Sequence, residues 1–202
     1  MNVGVLASGA GTNLQALIDR AHGRDGIQLV AVASDKPEAR ALARAKEAGI
    51  AAEAFGCDGF ADRPARDAAI AAWLRARGVE LVVLAGYMQL LSPQFLATFP
   101  GAVINVHPAL LPAFPGLKAV QQAIDYGVKV FGVTVHFVDG GVDTGPVILQ
   151  RALELPDARN AEDVLECLHP VEHELLVEAV GLLARGAVSF DPGNRRRVVI
   201  AR

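Results

Sequence analysis

Through the first half of the chain, short apolar and often β-branched runs alternate with stretches of helical period, the pattern of a parallel sheet faced by helices. Val3 to Ala7 reads as a buried strand. Gly9 and Gly11 break it, and Thr12 with Gln15 has the T-x-x-Q form of a capping box that predicts a helix opening at Asn13. Ile27 to Ala33 predicts a second strand. Pro37 then starts a helix to about Ala48, ended by Gly49, with Asp35 placed to cap it. A weak strand near Ala51 to Phe55, a helix from Pro64 to Arg77 and a buried strand over Leu81 to Leu84 continue the alternation. Ser92-Pro93 predicts an N-cap and first turn of a short helix, and Ala102 to Val106 a fifth strand.

After that strand the texture changes. His107 to Gly116 holds three prolines and no periodicity, so an irregular loop is expected, followed by a helix over Ala119 to Tyr126. Lys129 to Val138 and Val147 to Ala152 read as strands. The connection between them, Asp139 to Pro146, has three glycines and two aspartates and is too short for a crossover helix, so the two strands should be antiparallel. Asn160 caps a long helix to about Arg185, which Pro170 should kink or divide. Ala187 to Ala201 predicts a final hairpin. The fold class is therefore α/β, a doubly wound, mostly parallel sheet with an antiparallel portion in the C-terminal half. With no repeat or linker in view, 1–202 is read as a single domain.

Composition narrows the function classes. The chain has 202 residues, 52% of them hydrophobic, enough for a substantial core. A net charge of −3 argues against a nucleic-acid partner, which needs a basic face, and the run Arg195 to Arg197 is too small to supply one. Cys57 and Cys167 form no C-x-x-C pair, the usage of a reduced, intracellular protein. Leu81 to Leu91 is too short for a membrane span and contains Gln89, and the N-terminus shows no leader, so a cytoplasmic protein is expected.

Two constellations carry chemistry. Ser8-Gly9-Ala10-Gly11-Thr12-Asn13 joins the first strand to the first helix, where backbone N–H groups and the helix dipole favour an anion. It is neither G-x-G-x-x-G, since Leu14 holds the third glycine position, nor a P-loop. A single phosphate monoester fits it better than a pyrophosphate, and an unliganded strand-to-helix turn stays open on the glycines alone. Asn105 and His107, two residues apart at the end of the fifth strand, leave on the same face. Asp143 sits in a glycine-rich turn. Together these three suit acyl transfer to an amine: Asn105 and a protonated His107 can donate to a tetrahedral oxyanion, and Asp143 can hold the imidazolium and help relay the amine proton. A strand-end Asn and His with a solvated turn aspartate is the plainer alternative. His136 reads as a strand-face histidine, and His22, His169 and His173 as scattered, with no zinc pairing.

At these residues the sequence resembles the glycinamide ribonucleotide formyltransferase family, over roughly Met1 to Ala184. The shared motifs are Val5 to Gln15, Val83 to Pro93, Ile104 to Pro112, Gly132 to Val138 and Asp143 to Gln150. The resemblance implies the formyltransferase fold, with 1–100 a nucleotide-binding half and 101–202 a catalytic and folate-binding half. It implies transfer from 10-formyltetrahydrofolate, without a metal, to the amine of glycinamide ribonucleotide in de novo purine synthesis, with Asn105, His107 and Asp143 catalytic. Gly11, Thr12, Asn13 and Glu172 would hold the ribonucleotide. Met88, Gln89, Leu90 and Leu91 with Val138, Asp139, Gly140 and Gly141 would hold the pterin, and Arg63 the glutamyl tail. Gln89 stands where the family usually carries Arg, Ala109 where Ser is common and Lys118 where His or another polar residue is common; none of these is in the catalytic trio.

Within the same fold, a methionyl-tRNA formyltransferase should bring a further C-terminal domain and a basic surface, and a formyltetrahydrofolate hydrolase a leading regulatory domain. A nicotinamide-dependent oxidoreductase is disfavoured by the broken glycine fingerprint, and a non-catalytic nucleotide-binding module would make the Asn-x-His pair a coincidence. The partners expected are small-molecule substrates, with no nucleic acid and no membrane, for a monomer or homodimer.

Overall fold

A computed structural model describes residues 1–201 and divides the chain into two compact units, Met1–Asn105 and Val106–Arg202. The first unit contains β1 (Asn2–Leu6), α1 (Thr12–Arg20), β2 (Gln28–Ser34), α2 (Arg40–Glu47), β3 (Ala51–Ala54), α3 (Arg63–Arg75), β4 (Leu81–Leu84) and α4 (Pro93–Thr98). Strand β5 (Val103–His107) carries the chain from one unit to the other. The second unit holds α5 (Ala119–Tyr126), β6 (Val130–Phe137), β7 (Val147–Glu154), α6 (Ala161–Ala184) and the hairpin β8 (Val188–Asp191) and β9 (Asn194–Ile200).

The main sheet has seven strands in the order β3-β2-β1-β4-β5-β6-β7. The pairs β1–β2, β1–β4, β2–β3 and β4–β5 are parallel, and β6–β7 is antiparallel as the short connection requires. Strands covered on both faces read as unbroken apolar runs, and Leu81–Leu84 is buried at all four positions. From β1 the order runs one way to β2 and the other way to β4. Ligands of open α/β sheets bind at such a reversal, beyond the carboxyl ends of the strands. Here Ala85 N–H donates to the Leu6 carbonyl and Ser8 N–H to the Gly86 carbonyl, so the loops after β1 and β4 leave side by side.

Several local expectations are corrected. Thr12 is the first helical residue of α1, not its cap. Gly11 takes the N-cap in the left-handed region (φ 71°) and no side chain caps the helix, so the predicted capping box is not formed. Gln15 turns away to Asp19 and to Arg44 instead. Asp35 does not cap α2, which starts at Arg40 with Ala39 as its N-cap; the Asp35 carboxylate accepts from Gln89 Nε2 at 3.0 Å. Pro37 thus belongs to a turn ahead of the helix. Pro170 does not divide α6, whose N-cap Asn160 accepts from Asp163 N–H at 2.9 Å as the sequence suggests.

Among the described residues, no helix is long and apolar enough to cross a membrane.

Candidate functional site

In the first unit, the glycine loop is shaped by close packing. A Cβ at Gly11 would come within 2.8 Å of the Ala41 Cα, and the positive φ is costly for other residues, so glycine is needed twice over. Arg44 of α2 donates to the Ala10 carbonyl at 2.9 Å and to Gln15 Oε1 at 2.7 Å, and Ala41 N–H donates to the Gly9 carbonyl. The loop is thereby clamped from α2 while the uncapped N-terminus of α1 leads through Thr12 and Asn13. An uncapped helix start presents N–H groups and a partial positive charge, which suit an anion.

The segment 88–91 is held at both ends. Ser8 Oγ accepts from Met88 N–H at 2.9 Å, and the buried Asp67 carboxylate accepts from Ser92 N–H at 2.6 Å. Between these anchors Met88 and Leu90 are 56% and 54% exposed. Gln89 does make a side-chain contact, the bond to Asp35. Arg66, next to Asp67, donates to Cys57 Sγ at 2.8 Å. Burial pushes the nearby Tyr87 phenol up, against the opposing pull of the Arg66 charge. Arg63 opens α3 with an exposed side chain, one residue after the capping Asp62.

The second unit contains the polar cluster. The Asp143 carboxylate lies between two imidazoles, with His107 Nδ1 3.3 Å from one oxygen and His136 Nε2 3.5 Å from the other. Gly116 N–H donates to it at 2.8 Å. The other nitrogen of each imidazole faces a carbonyl, Phe114 for His107 Nε2 (2.9 Å) and Phe137 for His136 Nδ1 (2.8 Å). A carbonyl only accepts, so each of these contacts is a hydrogen bond when that ring nitrogen carries a proton. Asp143 itself sits at φ 51°, a left-handed conformation that aspartate tolerates better than most residues. Asn105 stands two residues before His107 on β5, and pleating puts both side chains on one face.

Neighbouring residues hold the cluster in place. Buried Thr134 Oγ1 donates to the Ala109 carbonyl at 2.6 Å and accepts from Leu111 N–H at 3.1 Å and Gln150 Nε2 at 2.9 Å, tying down the loop that follows His107. Thr134→Val keeps the shape and removes every one of those bonds. It is expected to cost about 1–3 kcal/mol of stability, since buried backbone groups are left unpaired. Urea denaturation of the two proteins measures the difference.

Burial works to raise the Asp143 pKa but is outweighed by the His136 hydrogen bond, the Gly116 N–H and the two imidazoles, which leave it at about 2 against an ordinary 3.8. A depressed carboxylate pKa contributes stability that is complete above the unfolded value and is lost as pH falls through the folded one. The stability advantage of the native chain over Asp143→Asn is therefore expected to hold at neutral pH and to shrink between pH 3.8 and about 2. Denaturant titrations of both proteins across that window test it; a gap that stays constant would contradict the linkage.

His136 is the member of the cluster that sequence reasoning passed over. Its position on β6 gives a faint signal, since Thr134 and His136 share a face. The register slips at that point, from Val135–Leu149 to His136–Val147, and no pattern in the sequence announces it. His169 and His173, read as scattered, are one turn apart on α6 with rings 6.5 Å apart and nearly parallel at 8°. Among the described residues, no group of three or more His, Cys, Asp or Glu side chains is arranged to hold a metal ion. Glu172 is buried on α6, and Val138 to Gly141 open the β6–β7 connection, where Asp139 Oδ1 accepts from Gly141 N–H at 3.0 Å and from the Thr144 hydroxyl at 2.5 Å.

Comparison with known proteins adds a second line. The profile of the formyl transferase family matches residues 1–180. A phosphoribosylglycinamide formyltransferase of Bacillus subtilis is 41% identical over 187 residues, covering 90% of this chain and 96% of that protein. One from Mycobacterium tuberculosis is 46% identical over 188 residues, covering 92% and 86%. The crystal structure of glycinamide ribonucleotide transformylase 1 from Symbiobacterium toebii superposes with a TM-score of 0.95 at 45% identity, over 100% of this chain and 94% of that one.

Proposed function

Because this chain belongs to the formyl transferase family, and to its phosphoribosylglycinamide formyltransferases, we propose that the cluster at the end of β5 performs formyl transfer from 10-formyltetrahydrofolate. The enzyme is a one-carbon transferase of purine synthesis, and its acceptor is the amine of glycinamide ribonucleotide. The observation that carries the site assignment is the Asp143 carboxylate set against His107 at 3.3 Å and held by Gly116 N–H, with Asn105 two residues upstream on the same strand face.

The chemistry follows from these groups. The acceptor amine attacks the formyl carbon, the carbonyl π electrons move to oxygen, and a tetrahedral oxyanion forms. Asn105 donates an amide N–H to it. His107, charged and held by Asp143, donates from Nε2, the proton that the Phe114 carbonyl takes in this structure. The substrate oxygen thus replaces a backbone carbonyl as acceptor, so the donor is already formed before substrate arrives. Collapse of the intermediate breaks the bond to the folate nitrogen, which leaves with a proton derived from the amine. The Asp143–His107 pair is the relay. No serine or cysteine nucleophile is required, because the donor amide is already activated. His136 fixes the second oxygen of Asp143 and so its orientation.

The same reading gives the ribonucleotide phosphate to Gly11, Thr12 and Asn13 and its glycinamide end to Glu172. It gives the pterin to the backbone of Met88 to Leu91 and to Val138 to Gly141, and the glutamyl tail to Arg63. It takes the whole chain as one formyltransferase domain acting on small molecules in the cytoplasm. Spectrophotometric assay of purified protein with 10-formyltetrahydrofolate, with and without glycinamide ribonucleotide, tests it. Tetrahydrofolate formed only with the ribonucleotide is the expected result. Product formed without it would make the enzyme a hydrolase, and none in either case would remove the reading.

A further inference from the structure

The C-terminal hairpin lies beyond the residues matched by the family profile, which end at 180, and it carries the basic run Arg195 to Arg197 that the proposed chemistry leaves unused. Its turn is well specified: Asp191 Oδ1 accepts from Gly193 N–H at 2.8 Å, and Asn194 Oδ1 from Arg196 N–H at 3.0 Å. Along β9 successive side chains alternate, so Arg196 faces opposite to Arg195 and Arg197. Arg197 pairs back within the hairpin to Asp191 at 3.6 Å. Arg196 reaches out of it. Its guanidinium donates to the Thr144 carbonyl at 2.7 Å, across 52 residues of sequence.

Thr144 follows Asp143 directly. The segment around them is held locally by the Thr144 hydroxyl to Asp139, Phe137 N–H to the Pro146 carbonyl at 2.9 Å, and Gly145 against the Phe137 carbonyl oxygen, where a Cβ would collide, while Gly116 N–H and the two imidazoles hold the Asp143 side chain. Arg196 adds a hydrogen bond from a distant part of the chain. A second contact of the same hairpin lands beside it, Phe190 against Phe137 with ring centroids 5.0 Å apart. Two independent contacts thus dock the hairpin on the base of this loop.

We propose that Arg196 is a positioning residue for formyl transfer, bracing the loop 139–146 so that the Asp143 carboxylate meets His107; this rests on the reading of the site given above. Asp143 is in a left-handed conformation at φ 51°, and the Thr144 carbonyl lies in the peptide plane one residue further along, where holding the loop backbone keeps the carboxylate between the two imidazoles. A charge-assisted bond to that carbonyl fixes the plane without touching either substrate.

The test uses the full chain with Arg196→Ala, Arg196→Lys and, as control, Arg195→Ala on the opposite face. Arg196→Ala is expected to lower kcat about tenfold through misplacement of a reacting group, with KM for both substrates within about twofold. The melting temperature should be unchanged. Arg196→Lys should recover part of the loss, and Arg195→Ala should match wild type. Amide hydrogen exchange should speed up within 139–146 in Arg196→Ala and not in Arg195→Ala. Wild-type kcat in Arg196→Ala, an equal fall in Arg195→Ala, or unchanged exchange in the loop would each overturn the proposal. A wild-type protein that transfers no formyl group would refute the functional reading instead, and the exchange experiment would still decide the brace.

Discussion

Replacing His107 with alanine is expected to cut turnover by about 10²-fold or more while the protein stays folded. The imidazole is asked for two things, an N–H for the oxyanion and a protonated partner for Asp143, and alanine supplies neither. Its structural cost is local. The Phe114 carbonyl loses a donor at 2.9 Å and Asp143 a partner at 3.3 Å, a loss of about 1–3 kcal/mol, and β5 keeps its ladder to β4 through Val103, Ile104 and Asn105. Steady-state kinetics beside a circular dichroism melt separate the two effects. Near-normal turnover would take His107 out of the mechanism, and a collapsed melting transition would mean that the residue is structural.

Asp143→Asn is expected to have the next largest effect, a fall in kcat of about 10²–10⁴-fold with KM changed by no more than a few-fold. Asparagine has nearly the same shape and also tolerates the left-handed conformation seen at φ 51°. Its amide oxygen can still accept the Gly116 N–H that bonds Asp143 at 2.8 Å. What disappears is the negative charge between the two imidazoles, at 3.3 and 3.5 Å, and with it the support for a charged His107. Measuring kcat and KM for both substrates at neutral pH decides the matter. A loss confined to KM would make Asp143 a binding group and leave the proton relay without its carboxylate.

Much of the architecture was legible because it depends on local chemistry. Leu81–Leu84 and Ala119–Tyr126 have the bounds read from periodicity, since an apolar run too short for a helix and an amphipathic stretch ended by Gly127 each have one stable solution. Ser92 and Asn160 cap their helices as predicted, because a cap needs only a side chain within reach of its own backbone. The antiparallel β6–β7 pair followed from chain length alone. Where two local solutions competed, packing chose. The Thr12–Gln15 box was available, but Arg44 draws Gln15 across and Gly11 starts the helix a residue early. Asp35 could have capped a helix, but Gln89 holds it.

For the site, the sequence by itself determined which residues are chemically able and that Asn105 and His107 share a strand face, a consequence of period two. It also set a glycine-rich turn around Asp143. Only the tertiary structure decided that Asp143 lies against His107 across 36 residues of chain, that His136 takes its other oxygen, and that Gly116 and Arg196 hold the loop. Each of those contacts joins residues far apart in sequence, and their meeting depends on sheet register, a one-residue slip in β6–β7 and the docking of a terminal hairpin. Periodicity records which face a residue occupies; it does not record what stands opposite.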